Sequence, residues 1–157
     1  MIVKYPDPRL AETCSTVNFD ESLKETLNSM RTQMFKSHGA GLAGPQVGVM
    51  KRLFVAFVEG AVQSFVNPEV VKVSEETISH KEGCLSLPKF LVNVPRSTEI
   101  TLKWQDEDGT ACERAFEGWD ARVLLHELDH LNGVTLWEYA SPAKKRKYRK
   151  KNRTSFR

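Results

Sequence analysis

The sequence contains few cysteines and no long apolar run. Three cysteines among 157 residues (Cys14, Cys84 and Cys112) are too few, and odd in number, for a disulfide framework. No apolar stretch approaches the roughly 20 residues that span a bilayer. The N-terminal residues show neither a signal-peptide core nor an Arg/Ser-rich transit pattern. We therefore expect a cytoplasmic protein without a membrane partner.

Acidic residues are missing from one end of the chain. Residues 144–157 hold nine of the 23 lysines and arginines and no aspartate or glutamate. The residues before 144 comprise 14 basic against 20 acidic residues, so their formal charge is −6. We predict one domain over residues 1–142 and a basic C-terminal tail over residues 143–157. Because like charges four residues apart oppose an isolated helix, we expect the tail to fold only on contact with RNA.

The most informative stretch is His126-Glu127-Leu128-Asp129-His130. Two histidines four residues apart lie on one face of a helix, where both imidazoles can bind one metal ion, and the glutamate between them can act as a general base. Residues 118–131 contain no proline, and Asn132-Gly133 is typical of a helix end. The alternative is a buried helix with two structural histidines.

This helix is predicted to have one face that lines a metal site and a second, apolar face that packs in the core. At about 100° per residue, the metal-facing stripe comprises Trp119, Val123, His126 and His130, with Glu127 at its edge. The opposite face carries Leu124, Leu128 and Leu131. A helix that is apolar on two faces is typical of a central helix, packed on one side and lining a site on the other.

Periodicity elsewhere predicts the remaining elements. Apolar residues at helical spacing predict one long N-terminal helix between residues 22 and 38. Alternating patterns predict strands at 52–58, 61–67, 69–73, 97–104 and 110–116. The expected fold class is therefore α+β, with short, mostly antiparallel strands packed around the central helix that carries the two histidines.

A catalytic metal usually has three protein ligands and a water, so a third ligand is needed. A histidine at the spacing of the metzincins is absent after His130, and Glu138 is only eight residues on, too near for a downstream glutamate ligand. Cys84 is the best remaining candidate. It follows Gly83, where a backbone can approach the helix closely, and a metal would hold it as thiolate.

Three segments together resemble the peptide deformylase family. The family motif Gly-x-Gly-x-Ala-Ala-x-Gln-x-Gly is matched by residues 39–48, Glu-Gly-Cys-Leu-Ser by residues 82–86, and Gln-His-Glu-x-Asp-His by residues 125–130. Two positions depart from these motifs. Gly44 replaces the second alanine, which predicts a looser loop, and Leu125 replaces the glutamine at a position well off the metal-facing stripe.

The resemblance implies a hydrolase that removes the formyl group from the N-terminal formyl-methionine of nascent polypeptides and releases formate. Cys84, His126 and His130 would hold one divalent metal ion, Fe²⁺ first, with Zn²⁺, Ni²⁺ or Co²⁺ as alternatives. Glu127 would take a proton from water and pass it to the leaving amine. The Gln46 side-chain amide and the Leu85 backbone N–H would stabilise the oxyanion.

The resemblance also suggests how the peptide is held. The pocket for methionine is assigned to Trp119 and Val123, and backbone pairing with the extended peptide to Ala40, Gly41 and Gly83. The family further pairs a glutamate and an arginine, here Glu82 and Arg96. We expect a monomer whose basic tail contacts the ribosome through its RNA.

Two other functions fit parts of the sequence. A zinc peptidase that cleaves internal peptide bonds would use the same helix, although a cysteine ligand counts against it. A binding module on the ribosome would need only the basic tail, but the intact set of chemical residues argues against a degenerate site.

Overall fold

The computed structural model describes residues 1–153. These residues form three α-helices: α1 (Leu23–Lys36), α2 (Gly118–Leu131) and α3 (Pro142–Lys151). The strands are β1 (Gly41–Ala43), β2 (Leu53–Val58), β3 (Ala61–Val73), β4 (Thr77–Cys84), β5 (Leu87–Ser97), β6 (Glu99–Gln105) and β7 (Ala111–Glu117). Within this described part, none of the helices combines the length and the apolar character needed to cross a bilayer.

The strands form two antiparallel sheets. Five strands pair in the order β1-β2-β3-β6-β7, and β4 pairs with β5 in a separate hairpin. Both β1 and β7 are edges of the larger sheet. The predicted α+β class with antiparallel strands is confirmed.

Two helices cover opposite faces of the larger sheet. In β2, Phe54, Ala56 and Val58 pack in one core cluster with residues of α2. The alternate residues Leu53 and Val55 belong to a second cluster with α1. Since successive side chains of a strand point to opposite faces, β2 is buried on both sides and fixes where the two helices lie.

Both long helices agree with the sequence analysis. α1 buries Leu23, Leu27, Met30 and Met34, the residues that repeat at helical spacing. α2 covers residues 118–131, and its apolar face of Leu124, Leu128 and Leu131 is buried in the cluster that it shares with the larger sheet. The other side of α2 is therefore free to line a site.

The strand prediction was wrong in the middle of the chain. Residues 69–73 are not a separate strand but the second half of β3, which continues through Asn67-Pro68 at an irregularity in its pairing with β6. Asn67 adopts a left-handed φ of 50°. Its side-chain amide accepts a hydrogen bond from the Val17 N–H and donates one to the Val17 carbonyl. β4 was missed because residues 77–81 are exposed and largely polar. β5 was missed although Phe90, Val92 and Val94 alternate there as buried residues.

The basic tail also differs from expectation, because residues 142–151 are helical. Ser141 Oγ caps α3 by accepting a hydrogen bond from the Lys144 backbone N–H at 3.1 Å. Tyr148 Oη donates to the Pro88 carbonyl at 2.9 Å, and its ring packs edge-on against Phe90. Packing against the domain supplies the stabilisation that an isolated basic helix lacks. Residues 154–157 of the predicted tail lie outside the described part.

Candidate active site

The structure brings Cys84, His126 and His130 together. One ligand atom of each lies within 4.8 Å of the others, and Cys84 Sγ is 3.4 Å from His130 Nε2. Cys84 is the last residue of β4, and the two histidines are one turn apart on α2. The fold thus brings Cys84 beside two histidines that lie more than 40 positions later in the sequence.

The donor set fits a divalent metal ion. Burial alone would raise the pKa of the Cys84 thiol, but the His130 and His126 imidazoles outweigh burial and hold that pKa well below its ordinary value. A thiolate with two imidazoles suits zinc, iron or cobalt. His126 Nδ1 donates to Glu82 Oε1 at 2.9 Å, which leaves Nε2 of the same ring for a metal.

Glu127 is buried beside this cluster. Its Oε1 has no hydrogen-bond partner among residues 1–153, and burial raises the pKa of its carboxyl against the opposing effect of the two histidines. Its close approach to β1 requires glycine there, because a Cβ at Gly41 would lie 2.6 Å from Glu127 Oε2. Since an unsatisfied buried carboxylate oxygen is costly, its presence marks a functional position.

Gln46 faces the cluster in a fixed orientation. The side chain is 1% exposed, and its Oε1 accepts from the Ala43 backbone N–H at 2.9 Å. Its Nε2 donates to Ser86 Oγ at 3.1 Å and to Cys84 Sγ at 3.5 Å. The amide N–H groups therefore point toward the thiol side of the site. Leu85 follows Cys84, and its carbonyl accepts from Lys4 Nζ at 2.8 Å.

The loop that carries Gln46 is tighter than the sequence led us to expect. Residues 44–47 form one 3-10 turn, closed by a hydrogen bond from the Val49 N–H to the Gly44 carbonyl at 2.9 Å. A Cβ at Gly44 would lie 2.4 Å from the Val49 carbonyl oxygen. The expectation that Gly44 loosens the loop was wrong, because the backbone uses the missing side chain to pack closely.

Leu125, the second departure from the family motifs, lies away from the site. It is half-buried and packs against the core cluster under α2. Its side chain therefore supports the larger sheet and not the metal-binding residues.

A buried carboxylate, Glu82, connects the cluster to its surroundings. Arg96 donates to both of its oxygens, at 2.9 and 3.0 Å, which confirms the expected pair. Arg122 Nη1 donates to Oε2 at 2.6 Å. Burial raises the pKa of Glu82, but hydrogen bonds from His126 and Arg96 outweigh it and lower that pKa to about 2. Arg96 also bonds Asp129 Oδ2 at 2.6 Å, within the histidine motif.

Sequence reasoning missed the part played by Arg122. It lies four residues before His126, and residues at this spacing share a helix face. That spacing is the signal that would have placed both side chains against the same carboxylate.

A cavity of about 490 Å³ opens onto these residues. Its size lies within the range of small-ligand pockets, about 300–1,000 Å³. The residues assigned to peptide binding all line it, namely Ala40, Gly41, Gly83, Trp119 and Val123. Trp119 is 58% exposed, whereas Val123 is buried and also belongs to the core. Gln46, Leu85, Cys84, His126 and Glu127 line the same cavity, while His130 is buried behind it.

The fold and this site define a class, the metal-dependent hydrolases, in which a helix supplies two histidines and a glutamate. Comparison with known proteins narrows the class to one family.

The family model of polypeptide deformylase matches residues 1–146. The peptide deformylase of Thermotoga maritima is 43% identical over 148 residues, which cover 94% of this chain and 90% of the relative. The solved peptide deformylase of Legionella pneumophila superposes with a TM-score of 0.90 at 38% identity, covering 100% of this chain and 97% of that one. That of Plasmodium falciparum gives 0.91 at 34% identity, covering 99% and 95%.

The chain therefore belongs to the polypeptide deformylase family. It is a metal-dependent hydrolase that removes the N-terminal formyl group from nascent polypeptides. The comparisons favour this activity over the zinc-peptidase and binding-module alternatives.

The buried network around Glu82 generates a stability prediction. Replacing Arg96 by methionine removes a buried cation that pairs with two carboxylates, Glu82 and Asp129. We expect the free energy of unfolding to fall by roughly 3–5 kcal/mol. Urea denaturation of both proteins measures this change.

The control is Arg114→Met, which removes an exposed ion pair with Glu59. That variant should lose no more than about 1 kcal/mol. An equal decrease in the free energy of unfolding of the two variants would show that the buried network contributes no more to stability than an exposed ion pair.

Proposed function

We propose that Cys84, His126 and His130 hold one divalent metal ion for deformylation, with Fe²⁺ the first choice and Zn²⁺, Ni²⁺ or Co²⁺ as alternatives. The observation that carries the proposal is the buried, unpartnered Glu127 oxygen beside three clustered donor atoms. The donor set alone does not separate these metals, so the preference for iron rests on the family resemblance. When bound, such an ion supplies Lewis acidity, which lowers the pKa of water and polarises a carbonyl oxygen.

Glu127 is proposed as the group that moves the proton. Its Oε1 has no other partner among the described residues, so it is available to take a proton from the attacking water. The same carboxyl then gives this proton to the amine nitrogen as the bond to the formyl carbon breaks. Gly41 leaves room for the Glu127 carboxylate beside β1, the strand proposed below to pair with the peptide.

Gln46 and the Leu85 backbone N–H are proposed as the oxyanion donors. The Ala43 N–H holds the Gln46 amide oxygen, and Ser86 Oγ accepts one of the amide N–H groups. The second N–H, which lies on the side of Cys84 Sγ at 3.5 Å, is the proposed donor to the oxyanion. Lys4 Nζ binds the Leu85 carbonyl, which belongs to the next peptide unit, and so holds the backbone directly after the Leu85 N–H. Preorganised donors of this kind stabilise the developing charge more than they stabilise the ground state.

The extended peptide is proposed to lie between β1 and β4. β1 is an edge strand of the larger sheet, and β4 carries Gly83 on the facing side of the cavity. A peptide added at these edges pairs its backbone with Ala40, Gly41 and Gly83. The methionine side chain then contacts Trp119 and Val123, which suit an apolar chain.

The metal assignment predicts the effect of Cys84→Ser. A hydroxyl is a poor substitute for a thiolate ligand, so the variant should retain little metal and release little formate. Elemental analysis of the purified protein measures the metal per chain. Cys112→Ser is the control, since Cys112 lies outside the cluster and should leave the metal content unchanged. Full occupancy and normal turnover in Cys84→Ser would remove Cys84 from the site.

The proton-transfer role predicts a different result for Glu127→Gln. The amide has nearly the same shape but cannot accept a proton, so metal content should persist while the turnover rate falls by about 10²–10⁴-fold. The exposed Glu113→Gln variant is the matched control. Near wild-type formate release by Glu127→Gln would exclude the general-base role.

The basic tail is proposed to contact ribosomal RNA, in a cytoplasmic protein that acts as a monomer. Residues 144–157 carry nine positive charges and no negative ones, and α3 buries none of its described residues. Such a surface attracts phosphate groups without reading sequence. The position of α3 beside Pro88 brings this surface near the cavity that receives the nascent chain.

Charge removal tests this contact without dismantling α3. Arg146, Lys147 and Lys150 are exposed, so changing all three to glutamine keeps Tyr148 docked and removes three cations. Co-sedimentation with ribosomes at low salt should fall, with a shallower dependence on salt concentration. Turnover of a short formyl peptide should not change. A control with Lys72 and Lys103 changed to glutamine should sediment like wild type. Equal co-sedimentation of the α3 variant would contradict the proposal.

A further inference from the structure

We propose that this enzyme selects formyl-methionyl peptides by charge and favours those with acidic side chains soon after the methionine. The selecting feature is a group of three lysines around the cavity, Lys4, Lys81 and Lys89, here named the cationic rim. The inference rests on the deformylase activity and adds to it a preference among substrates.

The exposed charges of the cavity lining all have one sign. Lys4, Lys81 and Lys89 are exposed, and they come from the N-terminal segment, β4 and β5 respectively. The two carboxylates in the lining, Glu82 and Glu127, are buried. A peptide approaching from solvent therefore meets the lysines before it meets any lining carboxylate.

This arrangement departs from the charge of the rest of the domain. Before residue 144 the chain has 14 basic and 20 acidic residues. Four of the basic residues line the cavity, namely the rim lysines and the buried Arg122, against two of the acidic ones. A cationic mouth on an acidic domain concentrates the attraction for anions at the site itself.

The rim charges are not neutralised within the described part of the chain. None of the ion pairs between residues 1–153 includes Lys4, Lys81 or Lys89. Lys4 Nζ donates to a neutral acceptor, the Leu85 carbonyl, and not to a carboxylate. The three ammonium groups are therefore available to carboxylates of a bound peptide.

The strand geometry sets which peptide positions the rim reaches. Lys81 lies on β4 two residues before Gly83, and both residues line the cavity. The pairing of β4 with β5 is irregular between Glu82 and Cys84. A peptide that pairs beside Gly83 advances about 3.3 Å per residue. Side chains one to three residues beyond the methionine then lie within reach of the flexible lysine chains. Acidic residues at these positions are attracted, and basic ones are repelled.

Formate release from three amidated peptides tests the preference: formyl-Met-Ala-Asp-Asp, formyl-Met-Ala-Ser-Ser and formyl-Met-Ala-Lys-Lys. Exposed charge pairs have modest individual effects, so we expect kcat/KM of the acidic peptide to exceed that of the basic one about threefold to tenfold at low salt. The difference should lie mainly in KM. It should vanish near 1 M salt, where the screening length falls to about 3 Å.

Variants assign the effect to the rim. Lys81→Gln with Lys89→Asn should reduce the ratio of acidic to basic turnover toward unity, and asparagine suits the φ of 59° at residue 89. Lys81→Glu should move the ratio further in the same direction. Lys4 is left unchanged because of its contact with Leu85. A control with Lys72 and Lys103 changed to glutamine should keep the wild-type ratio.

The outcomes separate this inference from the activity on which it rests. Equal kcat/KM for the three peptides, or preference for the basic one, would overturn the charge selection while leaving deformylation intact. An acidic preference that persists in the Lys81/Lys89 variant would overturn the role of the rim. Failure to release formate from any peptide would overturn the activity and the inference together. Circular dichroism of each variant shows that its fold is retained.

Discussion

The structure depends on one buried carboxylate, Glu82, which joins the two parts of the site. It lies on β4 and receives hydrogen bonds from His126 and Arg122 of α2 and from Arg96 of β5. Cys84 stands two residues along the same strand, so the contact that fixes His126 also fixes its distance from the thiol. Because the pKa of Glu82 is lowered to about 2, the carboxylate stays ionised at neutral pH. Two neighbouring cations compensate a buried charge that would otherwise be strongly destabilising.

The sequence predicts the parts of this protein whose signals are local. The repeat of Leu23, Leu27 and Met30 specifies α1, and the two-faced pattern of residues 118–131 specifies α2, because a helix buries residues that are close in sequence. β4 escapes such reasoning, since residues 77–81 are exposed and largely polar. In β5 the alternation of Phe90, Val92 and Val94 is a local signal that the sequence analysis did not use. Cys84 was a candidate ligand because the other third ligands are absent from the sequence, and the family resemblance supported it. The contact between Cys84 and His130 depends on how β4 packs against α2, and no local sequence pattern specifies that packing.

Glu127 illustrates how the fold holds a chemically useful but unfavourable arrangement. A buried carboxylate oxygen without a partner costs stability. Glu127 is nevertheless held in place, because the positions of α2, which carries it, and of β1, which it faces, are set by other contacts. α2 is fixed by its apolar face against the larger sheet, and Gly41 removes the side chain that would keep the carboxylate away from β1. The tight turn at Gly44 likewise holds the Gln46 amide toward Cys84. The packed core thus holds Glu127 and Gln46 in positions that are energetically unfavourable for these side chains alone.

The most direct test of this account is a paired assay on the purified, metal-loaded protein. One substrate is formyl-Met-Ala-Ser and the other is the same tripeptide without the formyl group; formate and free amino acids are measured for both. The account predicts one formate per formylated peptide consumed, an intact Met-Ala-Ser product, and no reaction of the unformylated peptide. Cleavage of an internal peptide bond, or no formate from the formylated substrate, would contradict it.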